Sequence, residues 1–251
     1  MTSDLTGYFA ALEARHLANL TRPELTRALR ALSSCYVERR DKLTAGAALE
    51  GAGKRAAFAL FYGPLHFLTI SHIVGEVPGA DRVTAIYDIG CGTGVGGAAW
   101  GMACAAPPVI SGIDRNGWAV GEANWTYRQF GVRGTAKIGD AVRDFPRLAP
   151  GRESPSALLL AYAVNEMPEP ARAALLDKVS DAAAKGAALL IVEPIARKDR
   201  GWWPGWAARL APLGVVEREW RFSAALPPTL RQIAKGAGLD PRELTARTLS
   251  R

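Results

Sequence analysis

The sequence predicts an α/β fold in which a mostly parallel β-sheet is flanked by helices and preceded by a helical N-terminal extension. From residue 83 onward, short apolar runs alternate with longer segments of helical character, a pattern typical of parallel strands joined by crossover helices. Residues 1–80 instead place apolar side chains at helical spacing. We therefore expect a helical extension over residues 1–80 and an α/β domain over residues 81–251.

The composition is that of an ordinary globular protein, with 49% hydrophobic and 22% charged residues in a chain of 251. The net charge of +7 and the pI near 9.6 favour polyanionic partners such as nucleic acid. The 3 cysteines lack the paired spacing of a zinc site, so we expect no metal. The first residues include Asp4 and Glu13 without an apolar core, and no apolar run reaches the roughly 18 residues that a membrane span needs. A cytoplasmic protein without a membrane partner is expected.

A second helix of the extension is predicted to begin at the capping box Thr21–Glu24, which has proline at position 23. Basic residues follow along this region: Arg22, Arg27, Arg30, Arg39, Arg40 and Lys42. They form either a solvated helix face, diluted by nearby acids, or a surface that contacts RNA.

The first predicted strand leads into a glycine-rich turn and then a helix, V-T-A-I-Y-D-I-G-C-G-T-G-V-G-G over residues 83–97. Glycine allows positive φ and lets a ligand lie against backbone N–H groups. Residues 92–97 match the G-x-G-x-x-G pattern that binds the pyrophosphate of dinucleotides such as NAD. Asp88 would repel a pyrophosphate but attract a cationic amino group. We therefore favour a positively charged nucleoside cofactor over NAD, with a plain strand-to-helix turn as the third alternative.

Acidic residues follow the next two predicted strands. The strand 109–114 ends in Asp114, about twenty residues after the glycine turn, which is the spacing of a carboxylate that binds a ribose hydroxyl. The strand predicted over 136–141 runs into Asp140. Acids at successive strand ends predict a single ligand site along this edge of the sheet.

The fourth predicted strand, residues 156–163, is followed by the segment V-N-E-M-P. Ligands of open parallel sheets bind outside the carboxyl ends of the strands. Asn165 is therefore predicted to position the acceptor of a reaction, and Glu166 to serve as a base. Alternatively, both residues only cap the helix predicted over 170–184.

The fifth predicted strand, 187–192, ends at Glu193, which we expect on the same rim of the sheet. Residues 195–206 then interleave cations with indoles, including Trp202 and Trp203. This pattern suits stacking on an unpaired base, or a tryptophan-rich lid that packs on the protein itself. An outer strand, a helix and a last strand are predicted over residues 215–222, 228–238 and 243–249.

The motif D-I-G-C-G-T-G resembles the first motif of class I S-adenosylmethionine (SAM)-dependent methyltransferases. Together with the basic helical arm, V-N-E-M-P and I-V-E-P, it resembles over residues 20–200 the ribosomal small-subunit methyltransferase-like proteins of bacteria and mitochondria. The resemblance implies a Rossmann-like fold of the seven-stranded type, SAM as cofactor with S-adenosylhomocysteine (SAH) as product, an adenine contact at Asp140, and association with RNA of the ribosomal small subunit. The family's cysteine cluster after the fifth strand is missing here, and Trp202, Trp203 and Trp206 occupy that region.

These observations predict a SAM-dependent methyltransferase that acts on RNA. A small-molecule N- or O-methyltransferase and a catalytically inactive SAM-binding ribosome assembly factor are the alternatives. The predicted cofactor contacts are Asp88, Gly90, Cys91, Gly92, Thr93, Gly94, Asp114, Arg115, Asp140, Ala141 and Tyr162. The predicted catalytic residues are Asn165 and Glu166, and the predicted substrate contacts are Glu193, Trp202 and Trp203.

Overall fold

The computed structural model describes residues 2–38, 49–148, 155–195 and 201–251, which form two compact units. One unit combines Met1–Leu68 with Phe222–Leu244, and the other combines Thr69–Arg221 with Thr245–Arg251. The predicted boundary at residue 80 therefore differs from the observed division. A segment from the C-terminal part of the chain belongs with the N-terminal helices.

The helical unit contains α1 (Thr2–His16), α2 (Arg22–Glu38), α3 (Ala52–Ala57), a π-helical turn (Phe58–Tyr62), the start of α4 (Gly63–Glu76), and α9 (Pro228–Ala237). The capping box forms at the start of α2, where Thr21 N–H donates to Glu24 Oε2 at 2.8 Å. Leu230, Ile233 and Ala234 give α9 a buried apolar face.

The arginines of α2 are partly used within this unit. Arg22 donates to Gln232 Oε1 at 3.1 Å, and Arg30 donates to the backbone carbonyl of Gly236. Both acceptors lie on α9, so these arginines join two helices that are about 200 residues apart in sequence. Arg39, Arg40 and Lys42 lie outside the described residues.

The helical stretch Ala52–Glu76 is long and apolar enough, by length and composition, to cross a membrane. The expectation that no segment reaches this length is wrong for this stretch. Most of its apolar window is buried inside the protein, and a core helix of a globular protein passes the same test.

The second unit is built on a seven-stranded sheet in the order β3-β2-β1-β4-β5-β7-β6. The strands are β1 (Ala85–Ile89), β2 (Val109–Asp114), β3 (Gly134–Ile138), β4 (Ser156–Ala161), β5 (Ala188–Glu193), β6 (Val216–Ser223) and β7 (Glu243–Ser250). Strands β1 to β5 pair in parallel, whereas β7 runs antiparallel to β5. The order is that of the Rossmann sheet with β7 inserted before β6. The predicted mostly parallel α/β fold is confirmed.

Four further helices belong to this unit: α5 (Val95–Ala103), α6 (Gly117–Gln129), α7 (Glu169–Ala184) and α8 (Trp203–Leu210). Strands β4 and β5 are buried along nearly their whole length, as expected for central parallel strands covered on both faces. Their apolar side chains form one core cluster with α7, α8 and Trp202. This core fixes the strand ends from which the candidate site is built.

Candidate functional site

The candidate site lies at the carboxyl ends of β1 and β4, where the order of the sheet reverses direction. The glycine turn after β1 folds over the end of β2. The backbone N–H groups of Gly90 and Cys91 both donate to Ile113 O, at 2.8 and 3.0 Å. Gly92 N–H donates to Asp114 Oδ2 at 2.9 Å. The glycine motif and Asp114 are thus joined directly, as the sequence predicted for one shared site.

Glycine is required at position 90 by both conformation and space. Gly90 has φ +71°, and a Cβ added there would lie 2.6 Å from the Cβ of Ala163, in the loop after β4. Gly92 and Gly94 also have positive φ. Cys91 and Thr93 are buried, with 6% and 3% of their surface exposed.

Asp88 does not face an open crevice. It is 2% exposed, and its Oδ2 accepts a hydrogen bond at 3.0 Å from Gly97 N–H in the first turn of α5. Burial raises the pKa of this carboxyl to about 7, while the Gly97 bond acts in the opposite direction. Asp88 thus holds the junction between the glycine turn and α5, and its contact with a positively charged ligand stays a prediction.

Tyr127 on α6 is a residue of this region that the sequence analysis missed. A Cβ added at Gly94, Gly112 or Gly134 would lie 3.0 Å or less from an atom of the Tyr127 side chain, so the tyrosine fills the space that those side chains would need. The signal available in the sequence was that these three positions, on different elements, are all glycine. Tyr127 Oη and the Cys91 sulfur both approach Gly112, and burial raises the pKa of the thiol well above its usual range. Cys91 thus packs in the interior between the glycine turn and β2.

Asp114 ends β2 and is half-buried. In addition to the Gly92 bond, its Oδ1 accepts from Asn116 N–H at 2.8 Å. Asn116 in turn caps α6 by accepting from the N–H groups of Trp118 and Ala119. Backbone donors thus hold the Asp114 carboxylate at the strand end, where a ligand can reach it.

Asp140 follows β3 and lies beside Asp114. The connection is made by Gly139 N–H, which donates to Asp114 O at 3.0 Å. Oδ1 of Asp140 accepts from the N–H groups of Val142 and Arg143, and the Arg143 bond is the main reason that the pKa of this carboxyl is lowered. The turn leaves Asp140 and Ala141 half-exposed.

Arg115 is exposed next to Asp114. Its charge contributes to lowering the pKa of the Asp140 carboxyl, so the two side chains share an electrostatic environment. The predicted cofactor residues of β2 and β3 thus come together at one edge of the sheet.

Tyr162 follows β4 with φ +58°, the left-handed region that only glycine adopts readily. Among the described residues it is the one non-glycine with positive φ. Its N–H donates to Val192 O at 2.8 Å, and its hydroxyl is hydrogen-bonded to Thr69. Strained backbone of this kind persists where the surrounding structure fixes it, and it concentrates at functional sites.

Asn165 and Glu193, predicted as a catalytic and a substrate residue, are hydrogen-bonded to each other. Glu193 is 1% exposed, and its oxygens accept from both the N–H and the side-chain amide of Asn165. Asn165 Oδ1 accepts from Trp202 Nε1 at 3.0 Å. Burial raises the pKa of Glu193 to about 8, and the Asn165 bond opposes this shift. The polar atoms of both side chains are thus engaged in hydrogen bonds within the protein, and their roles toward a substrate stay predictions.

Glu166 is different, because it is half-exposed on the 3₁₀ turn Val164–Glu166 that leaves β4. Of the three carboxylates at or just beyond the ends of β1, β4 and β5, Asp88 and Glu193 are buried. Glu166 is therefore the carboxylate of this group that a second ligand can reach.

The indoles of α8 and the residue before it lie in the core. Trp202, Trp203 and Trp206 are 7%, 2% and 3% exposed, and Trp203 Nε1 donates to Glu217 Oε1 at 2.6 Å. The ring centroid of Trp202 lies 5.3 Å from that of Trp203 and 5.1 Å from that of Trp206. Both rings thus pack against the protein, as in the alternative of a tryptophan-rich segment that packs on the protein itself.

Within the described part of the chain, no group of three or more His, Cys, Asp or Glu side chains is arranged to hold a metal ion. Neither a family model nor a curated protein sequence matches this chain.

Several solved methyltransferase structures are similar to this chain. An O-methyltransferase of neocarzinostatin biosynthesis, solved with SAH and 1,4-dihydroxy-2-naphthoic acid, has 15% identity and a TM-score of 0.51; the match covers 78% of this chain and 57% of that protein. Magnesium protoporphyrin IX methyltransferase from Synechocystis PCC 6803 has 14% identity and a TM-score of 0.47, over 92% and 98% of the two chains. The methyltransferase domain of a bacterial Hen1 protein has 11% identity and a TM-score of 0.49, over 74% and 97%.

This chain thus spans little more than half of the O-methyltransferase that it matches. At these identities the likeness concerns the fold. Together with the sheet order, it shows that the chain has the Rossmann-like fold of class I SAM-dependent methyltransferases.

Proposed function

We propose that this protein transfers the methyl group of SAM to a small-molecule acceptor. The observation that carries the proposal is the continuous set of contacts from the glycine turn through Asp114 to the turn that holds Asp140. It places backbone N–H groups, a half-buried carboxylate and a second half-exposed carboxylate along one edge of the sheet. Methionine, ribose and adenine follow one another in SAM in the same order.

The residues present fit the nucleoside part of that cofactor. The Asp114 carboxylate is held by one backbone donor on each oxygen, which leaves acceptor capacity for the ribose hydroxyls. Asp140 uses Oδ1 within its own turn, and no described residue donates to its Oδ2. That oxygen and the neighbouring Ala141 N–H suit the amino group and ring nitrogen of adenine.

A dinucleotide fits less well. Pyrophosphate binding needs the N–H groups of a helix N-terminus without a competing anion. In this structure Gly97 N–H, in the first turn of α5, already donates to the Asp88 carboxylate. A pyrophosphate placed here would lose that donor and approach a buried carboxyl group.

The chemistry demands little acid–base assistance from the protein. The sulfonium of SAM supplies an activated methyl group, so catalysis consists mainly of holding donor and acceptor in line and excluding water. As the acceptor oxygen or nitrogen takes the methyl group, the electron pair of the broken S–CH₃ bond remains on sulfur. Glu166, half-exposed beyond β4, is the group that we assign to accept the acceptor's proton.

Three observations favour a small acceptor over RNA. The indoles that would stack on bases are buried, and two arginines of the basic arm are bonded to α9. The similar O-methyltransferase was solved with a small aromatic acid. RNA remains the second candidate because the chain carries a net charge of +7.

The test begins with the cofactor. Isothermal titration should show binding of SAM and SAH, and thermal unfolding should shift upward with SAM but not with NAD. Methyl-labelled SAM incubated with the protein and fractionated cell extract should then label the small-molecule fraction. A shift with NAD and none with SAM would overturn the proposal.

The same measurements decide between acceptors. Label in RNA, together with binding of small-subunit rRNA fragments that weakens linearly with the logarithm of salt concentration, would replace the small molecule by RNA. Tight SAM binding with no label in any fraction would instead identify a SAM-binding assembly factor without transferase activity.

A further inference from the structure

A buried carboxylate holds the turn that follows β4. Glu193 accepts the backbone N–H of Asn165 at 3.0 Å on one oxygen and the side-chain amide of Asn165 on the other. The remaining polar atom of that side chain, Oδ1, accepts the indole N–H of Trp202. One residue of the turn thus has its backbone and both ends of its side chain fixed by groups in the protein interior.

The network is itself anchored in the sheet. Arg247 on β7 is the register partner of Glu193 on β5, and its guanidinium carbon lies 4.1 Å from the centroid of the Trp203 ring. Trp203 packs edge-on against Trp202. Two strands and the start of α8 therefore hold Glu193 and Trp202 in place, so movement of Asn165 would break hydrogen bonds in a closely packed region.

We propose that Glu193 is a positioning residue for methyl transfer: it acts through Asn165 to fix the turn Val164–Glu166, and so sets the direction of the Glu166 carboxylate toward the acceptor. This inference rests on the proposed function, which assigns Glu166 to the acceptor. Burial of a carboxylate is costly unless its oxygens are bonded, and here Asn165 supplies a donor to each oxygen, so the two residues are matched to each other.

The polarity of the hydrogen bonds supplies a direct test. Above pH 8, where the Glu193 carboxyl is ionised and both of its oxygens accept, the new amide N–H₂ of Glu193→Gln would face a donor of Asn165, either its side-chain amide or its backbone N–H. Flipping the Asn165 amide relieves that clash but presents an N–H₂ to the indole N–H of Trp202. In Asn165→Asp, two carboxylates face each other. The double variant Asn165→Asp with Glu193→Gln restores a donor opposite every acceptor, with the charge moved from residue 193 to residue 165.

The experiment measures the initial rate of methyl transfer at saturating SAM, using the extract fraction that the wild-type protein labels, together with SAM affinity by titration. We expect each single variant to lose about tenfold or more in rate, the effect of leaving a buried polar group unsatisfied, with SAM affinity changed by less than about twofold. The double variant should recover to within about threefold of the wild type. Wild-type rates in both single variants, or a double variant no faster than the singles, would overturn the inference.

A second measurement covers loss of folding and does not depend on the acceptor. Hydrogen exchange of the backbone N–H groups of residues 164–166 should be faster in the single variants and restored in the double variant. Trp220→Phe is the matched control, because it removes an indole hydrogen bond, to Thr248 at 2.9 Å, elsewhere in the sheet. It should leave both the rate of methyl transfer and the hydrogen exchange of residues 164–166 unchanged.

The two proposals fail in different ways. A wild-type protein that binds no SAM, or that labels no fraction, refutes the proposed function. The exchange data on the same variants would then still show whether Glu193 holds the turn. Unchanged exchange in Glu193→Gln refutes the positioning role even if the methyl transfer of the wild type is established.

Discussion

Replacing Gly97 by alanine tests whether the junction between the glycine turn and α5 is too tightly packed to accept even a methyl side chain. A Cβ at this position would lie 2.9 Å from Asp88 Oδ2, 2.9 Å from Ile110 Cγ2 and 3.3 Å from Tyr127 Oη. The first two distances are below any normal carbon contact, and all three neighbours are buried. Overpacking of this kind costs about 1–3 kcal/mol, which exceeds the gain of up to about 1 kcal/mol from placing alanine in a helix.

Gly121 provides the matched control, because it lies within α6 and a Cβ there would meet nothing within 4 Å. Gly121→Ala should raise the free energy of unfolding by about 0.5–1 kcal/mol, whereas Gly97→Ala should lower it by about 1–2 kcal/mol. Urea unfolding monitored by circular dichroism measures both. Gly97→Ala should also weaken SAM binding, since the junction supports the glycine turn. Equal stabilisation by the two substitutions would refute the close approach of Asp88 to α5.

Three further predictions concern single side chains. Asp114→Asn should weaken SAM binding by about 10- to 100-fold, because a charge-assisted hydrogen bond is lost; titration measures this, and the exposed Asp181→Asn on α7 should show no change. The Asp88 carboxyl has its pKa raised from 3.8 to about 7 by burial, so the folded protein retains this proton where the unfolded chain loses it. The free energy of unfolding of the wild type, relative to that of Asp88→Asn, should therefore fall by up to about 4 kcal/mol as pH rises from about 4 to about 7, and stay constant above pH 7. Urea unfolding at a series of pH values measures this difference, and a difference that does not change with pH would contradict the prediction. Trp203→Phe should lower the free energy of unfolding by about 1–2 kcal/mol through the lost bond to Glu217, yet leave the affinity for RNA oligonucleotides unchanged in fluorescence anisotropy.

Strands β1, β2, β4 and β5 could be predicted from the sequence because each is a short, mostly apolar run bounded by glycine, proline or an acid. The strand predicted to end at Asp114 has the observed bounds, and the predicted last strand, 243–249, differs from β7 by one residue. The joining of the glycine turn, Asp114 and Asp140 also followed from sequence. All three lie directly after parallel strands, whose carboxyl ends share one edge of the sheet.

The roles of individual side chains could not be predicted in the same way, because they depend on contacts between distant residues. Asp88 looked accessible until the N–H of Gly97 was seen to face it. Asn165 looked like a catalytic amide, but Glu193 and Trp202, 28 and 37 residues further on, take up its hydrogen bonds. The membership of α9 in the helical unit has a similar origin, since no local pattern connects Gln232 or Gly236 with the arginines of α2.

The placement of β7 has a consequence for how the chain is made. This strand lies between β5 and β6, although it is synthesised after both. Until residues 243–250 leave the ribosome, β5 presents an unpaired edge and β6 has no neighbour to join it to the sheet. A nascent chain that stalls before this point would expose apolar strands to other chains, a known route to aggregation. Completion of the sheet therefore depends on a strand that is translated after the six strands it completes.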